Sequence, residues 1–300
     1  MQSKSIPLFN PADLGRHHFE TWDEWQFTAL NDVFHINRLE THLEHIPFPL
    51  APHRKTVHDF IFLTQGRTRR SKGLNEYDLG KNTFFFLPAT QITTHEFMSP
   101  DSTGFFCHFD LDLLTKSFVQ PEVIAEIPFL RFTGNPLVHV PEAVMPRALH
   151  LMQQMEEELN AGRPDVLDLA RVYLLTLFFE LKRYADPSEK TGPNAAARIT
   201  QQYKNALMQH IYEKHNVSAY AELLAVSPNH LNKCVKATTG RSAQDTLDDM
   251  VLLEAKALLK QSELSISEIA FKLGKEDHSN FSRFFKAKTQ TTPKEYKLSK

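Results

Sequence analysis

Residues Ser265–Gln290 read SISEIAFKLGKEDHSNFSRFFKAKTQ, and their spacing decides the fold of the last third of the chain. Ser265 followed by Glu268 is a capping box, so a short amphipathic helix opens at Ile266 and runs to Leu273. Gly274 permits a tight turn. In the next helix Phe281, Phe284 and Phe285 stand at i, i+3 and i+4 and face inward. His278, Ser279, Asn280, Ser282, Arg283 and Lys286 are left on the outer face. A bracing helix followed by one that presents hydrogen-bonding and cationic side chains fits the major groove of duplex DNA.

The pattern repeats weakly about fifty residues earlier. Ser227–Gly240 reads SPNHLNKCVKATTG, and Leu231, Val235, Lys236 and Ala237 align with Phe281, Phe285, Lys286 and Ala287. A supporting helix over Ala219–Leu224, capped by Ser218, is expected before it. Leu231, Cys234 and Val235 face the core, which leaves Asn229, His230, Asn232, Lys233 and Lys236 outside. Between the copies a long helix, Ala243–Lys260, is capped by Ser242 and striped by Leu247, Met250, Val251 and Leu258. Such a connector would hold two reading helices one DNA turn apart, roughly 34 Å. Spacing alone fits a plain helical bundle equally well.

The stretch Leu252–Lys297 closely resembles the C-terminal signature of AraC/XylS-type transcription regulators. The matching residues are Ile269-Ala270, Gly274, Phe281-Ser282-Arg283-Phe284-Phe285-Lys286 and Pro293-Lys294-Glu295-Tyr296. The resemblance implies sequence-specific binding of double-stranded promoter DNA, an N-terminal cupin-like domain holding a small-molecule effector, no catalytic residues and no cofactor. A homodimer and a contact with RNA polymerase are also expected. Three positions depart from the pattern: Lys275 stands where an aromatic follows the turn glycine, Gln290 where glycine ends the helix, and Ala225 at the turn glycine of the first copy.

Upstream, residues to about 115 form short apolar stretches, Val57–Leu63, Thr83–Leu87, Ile92–Met98 and Gly104–Leu111, separated by turn residues. These predict strands of a sandwich or small barrel. His53, His58, Asp59 and His95 resemble cupin motifs in outline. A metal cupin wants two histidines one residue apart and then a glutamate, a pattern absent here, so no metal is expected; the histidines are surface groups or line an effector pocket. A metal-dependent cupin enzyme with a helical appendage is the alternative. In Arg67–Lys72, alternation puts Arg67 and Arg69 on one face of a solvated hairpin, from which one of them could meet an acidic ligand. The phenylalanine-rich strands are core, and an apolar barrel interior is where an effector would sit.

Residues 141–184 take a helical period. Pro141 opens one helix with Val144, Ala148, Leu151, Met152 and Met155 inward. Asp165 starts a second, apolar nearly all round, suited to burial or to a partner subunit. The expected organisation is α+β: a cupin-like effector and dimerisation domain over 1–184, a linker over 185–198, and an all-α double helix-turn-helix domain over 199–300. Charge follows this division. Residues 1–197 carry 18 Lys and Arg against 25 Asp and Glu, and residues 198–300 carry 16 against 11. The basic part is the one expected to meet nucleic acid. Two distant cysteines, Cys107 and Cys234, fit a reducing cytoplasm, and no apolar run suggests export or a membrane partner.

Overall fold

The computed structural model describes residues 8–13, 29–115, 120–132, 134–185, 195–275 and 277–299. Among the described residues the first half holds nine strands, the last preceded by the short helices Leu111–Thr115 and Pro121–Ala125: β1 (Phe34–Arg38), β2 (Leu50–His53), β3 (His58–Gln65), β4 (Thr68–Lys72), β5 (Asn75–Leu79), β6 (Thr83–Leu87), β7 (Thr93–Met98), β8 (Thr103–Phe109) and β9 (Leu137–His139). They form two antiparallel sheets, ordered β1-β8-β3-β6-β9 and β2-β7-β4-β5. Helices follow: α1 (Met145–Ala161), α2 (Val166–Lys182), α3 (Ala195–His210), α4 (Val217–Leu223), α5 (Pro228–Thr239), α6 (Ala243–Gln261), α7 (Ile266–Lys272), α8 (His278–Thr289) and α9 (Pro293–Leu298).

Strand alternation gives the larger sheet two different faces. Phe34, Ile36, Phe60, Phe62, Phe84, Phe86, Phe105 and Phe109 point outward and are covered by Met152, Met155, Leu174, Leu177 and Phe178 of α1 and α2. The Phe178 ring lies between 5.4 and 6.3 Å from those of Phe60, Phe86, Phe109 and Phe129. Most of the phenylalanines thus pack against helices, and the barrel interior is built by others. Ile61, Leu63, Phe85 and Leu87 face Leu79 and Met98 of the second sheet. Because β3 is buried on both faces, its sequence shows no polar alternation.

Several local readings change. Helix α1 starts at Met145 with Pro146 in its first turn, four residues after Pro141. Helix α2 is not buried all round: Val172 and Phe179 are exposed at 55% and 41%. The supporting helix α4 is capped by Asn216, whose side chain accepts from Ala219 N, instead of by Ser218. Most of the segment read as a linker lies outside the described residues, and α3 already begins at Ala195.

The helical part packs on the strands. Ile92 belongs to the apolar core of α3–α8, and Leu74 and Phe132 pack against it. Arg54, just beyond β2, forms a buried ion pair with Glu254 of α6. Tyr212 Oη donates to Glu254 Oε2 at 2.6 Å, and Arg54 Nε donates to Thr90 O at 3.0 Å. Lys204 Nζ of α3 donates to Asn75 Oδ1 at 2.8 Å.

Candidate nucleic-acid interface

Two helix pairs, α4–α5 and α7–α8, flank the connector α6. Each second helix has a formed N-cap: Ser227 accepts from His230 N and Asp277 from Ser279 N. The capping boxes at Ser242–Asp245 and Ser265–Glu268 are both formed. Leu231, Val235, Phe281 and Phe285 are fully buried, with Cys234 nearly so. Phe284 is half-buried, and Lys275 Nζ sits 4.7 Å from its ring centre. That cation–π contact occupies the place of the aromatic that the pattern expects after the turn.

On the outer faces, Asn229, His230, Lys233 and Lys236 of α5 are exposed, as are His278, Ser279, Asn280, Arg283 and Lys286 of α8; Ser282 is half-buried. Neither helix contains an acidic residue. Arg283 Nη2 donates to Asn280 Oδ1 at 2.6 Å, which holds its guanidinium on the outer face. Asn232 departs from the expectation. Its Oδ1 accepts from Ala243 N at 3.0 Å, so it ties α5 to the start of α6.

The turns explain the pattern's glycines. Gly274 has φ +69°, and a Cβ there would lie 2.2 Å from the His215 ring. Ala225 and Gln290 adopt the same left-handed region, φ 55° and 64°, with a side chain attached. Asp249 ties the ends of α5 and α8 together: Arg241, just past α5, pairs with it, and Lys288 Nζ of α8 lies 4.0 Å away.

In the barrel, His53, His58 and His95 are all buried, so none is a surface group. The three do not converge on one point: His53 and His95 are near enough for their charges to interact, but His58 stands apart. His58 stacks on Phe109 of the helix-covered face at 5.6 Å, whereas His95 Nε2 lies 2.6 Å from Thr68 Oγ1 of β4. Among the described residues no three His, Cys, Asp or Glu side chains form a group that could hold a metal. In the basic run Arg69 stays on the surface of the hairpin, where it pairs with Asp78, while Arg70 turns inward and donates to Asp59 Oδ1 at 3.2 Å. Lys55 pairs with the same carboxylate. Burial would raise the Asp59 carboxyl, but Lys55 and Arg70 hold it below the usual range. Burial brings Lys55 down to about 8 against the pull of Asp59. No described helix is long and apolar enough to cross a membrane.

A family profile described as a helix-turn-helix domain matches residues 220–299. The chain is 27% identical over 160 residues to the HTH-type transcriptional activator RhaS of Escherichia coli (strain SE11), covering 52% of this chain and 55% of that protein. It therefore spans about half the length of the curated relatives it matches. The C-terminal domain of the two-component response regulator yesN from Fusobacterium nucleatum is 31% identical, with 33% of this chain and 98% of that one covered at a TM-score of 0.31. ToxT from Vibrio cholerae aligns over 89% of this chain and 98% of its own at 13% identity and a TM-score of 0.40. Residues 220–299, whose paired helical units carry the signature read from the sequence, are a helix-turn-helix domain of the AraC/XylS type.

Proposed function

We propose that the chain is a cytoplasmic, sequence-specific transcription regulator that binds double-stranded promoter DNA through α5 and α8 and responds to a small-molecule effector in the barrel. The observation that carries it is the pair of reading helices, each with an apolar inner face, a polar and basic outer face and no acidic residue. Asn229, His230, Lys233 and Lys236 would contact one groove segment, and His278, Ser279, Asn280, Ser282, Arg283 and Lys286 the next. Residues 1–184 would serve as the effector and dimerisation domain, and 199–300 as the DNA-binding domain. Homodimerisation would use the exposed ridge Val172, Thr176 and Phe179, which sits at i, i+4 and i+7 on α2. A contact with RNA polymerase belongs to the same proposal.

Arg54, Glu254 and Tyr212 suggest how the barrel and the reading helices communicate. A buried charge pair tolerates only a narrow geometry, so a shift of the Arg54 backbone is felt by α6, the helix that spaces α5 and α8. The test is retention of DNA upstream of neighbouring genes by the full chain. Binding with a steep salt dependence supports the reading, and no retention even at low salt overturns it.

A further inference from the structure

The barrel interior is divided. One end is apolar, built from Ile61, Leu63, Phe85, Leu87 and Met98. The other holds Lys55, Asp59, Arg70 and His95, all buried. Two cations there face one carboxylate. Arg70 Nε is buried without a hydrogen-bond acceptor among the described residues, and Lys55 Nζ, which has three protons to donate, meets the Asp59 carboxylate. Buried donors of this kind are rarely left unmet, and an excess buried cation is costlier still. The cationic end adjoins the apolar one directly: Arg70 Cζ lies 5.2 Å from the centre of the Phe85 ring, and Lys55 Nζ lies 5.6 Å from that of Phe106.

We infer that the barrel interior binds a small organic acid, its carboxylate between Lys55 and Arg70 and its apolar body against Ile61, Phe85 and Leu87. This names the chemical class of the effector and rests on the reading that the barrel holds one. A planar guanidinium beside an ammonium suits a carboxylate, which accepts from both at once. Asp59 holds the two cations in place and competes with the ligand for them. Lys55 also follows Arg54 directly in sequence; Arg54 pairs outward with Glu254 while Lys55 pairs inward with Asp59. Seating an anion at Lys55 therefore acts on the residue that ties the barrel to α6.

The experiment is thermal unfolding of the full chain with millimolar benzoate, octanoate or acetate, each set against its neutral amide. The acids, but not the amides, are expected to raise the midpoint. Arg70→Met should weaken the acid's affinity by about ten-fold or more. Asp59→Asn, which removes the competing carboxylate, should strengthen it. If a variant fails to fold, the comparison of acid with amide on the native chain decides alone. Amides acting as well as acids would overturn the anionic class while leaving an effector site in place. No shift with any of the acids would overturn the site. DNA retention by the same preparation, measured in parallel, reports separately on the regulator reading.

Discussion

At the scale of single residues, two turns carry a conformational cost. Ala225 and Gln290 hold left-handed backbone at positions where the family pattern has glycine, whereas Gly240 ends the first reading helix at φ 73° with no side chain to strain. The left-handed region costs a side-chain-bearing residue about 1–2 kcal/mol, of which glycine's extra unfolded-state freedom returns roughly half. Ala225→Gly and Gln290→Gly should each stabilise the chain by about 0.5–1 kcal/mol, read as a higher urea midpoint at constant m-value. An unchanged or lower midpoint would contradict the turn assignment. Arg283 makes a different prediction. If it reads a guanine, Arg283→Ala costs about 1–3 kcal/mol at one base position and relaxes preference there, measured by binding to a set of singly substituted sites. A uniform loss across the set would assign Arg283 to phosphate. Both arguments were open to the sequence, because Phe281, Arg283 and the Ser265–Glu268 box lie within a few turns of one another. Asn232 was not. Its bond to Ala243 depends on the angle between α5 and α6, which spacing does not encode.

At the scale of elements, the contact between α6 and the strands is the feature that sequence left hidden. Arg54 and Glu254 stand 200 positions apart, and neither carries a local signal of its partner. The barrel interior was hidden for a related reason. Strand β3 is apolar on both faces, so its composition could not say that Phe60 and Phe62 turn to the helices while Asp59 and Ile61 turn inward. Strand existence was legible from the turn residues between runs; the facing of each strand was not. Removing one member of a buried pair strands the other, at about 3–5 kcal/mol. Arg54→Met is expected to lose this much in denaturant unfolding. The double variant Arg54→Met/Glu254→Met should recover most of it, since no unpaired charge remains. Losses that simply add would show that the two side chains do not interact.

At the scale of the whole molecule, barrel and helical part share a core through Ile92, Leu74 and Phe132, so their stabilities are coupled. Acid should expose that coupling. Burial lowers His58 to about 4 and His108 to about 4, and it lowers His35 to about 3 with help from His108. Folded values below the unfolded one mean that the native state must keep these rings neutral. Stability is therefore complete above the unfolded value of about 6.5 and is lost as pH falls from there toward 4, by on the order of 3 kcal/mol for each ring at the lower end. Urea midpoints at pH 7.5 and 5 measure this, and a flat profile would contradict the buried, neutral assignment. The division of charge along the chain was legible from composition and agrees with where the basic helix faces lie. The central claim is that those faces meet duplex DNA, and the salt dependence of binding tests it most directly. The account predicts a linear fall of log affinity with log salt, with a slope reduced by about 0.9 on replacing Lys236 by Ala, and again on replacing Lys286. A slope unchanged by both substitutions, or no binding at low salt, would contradict it.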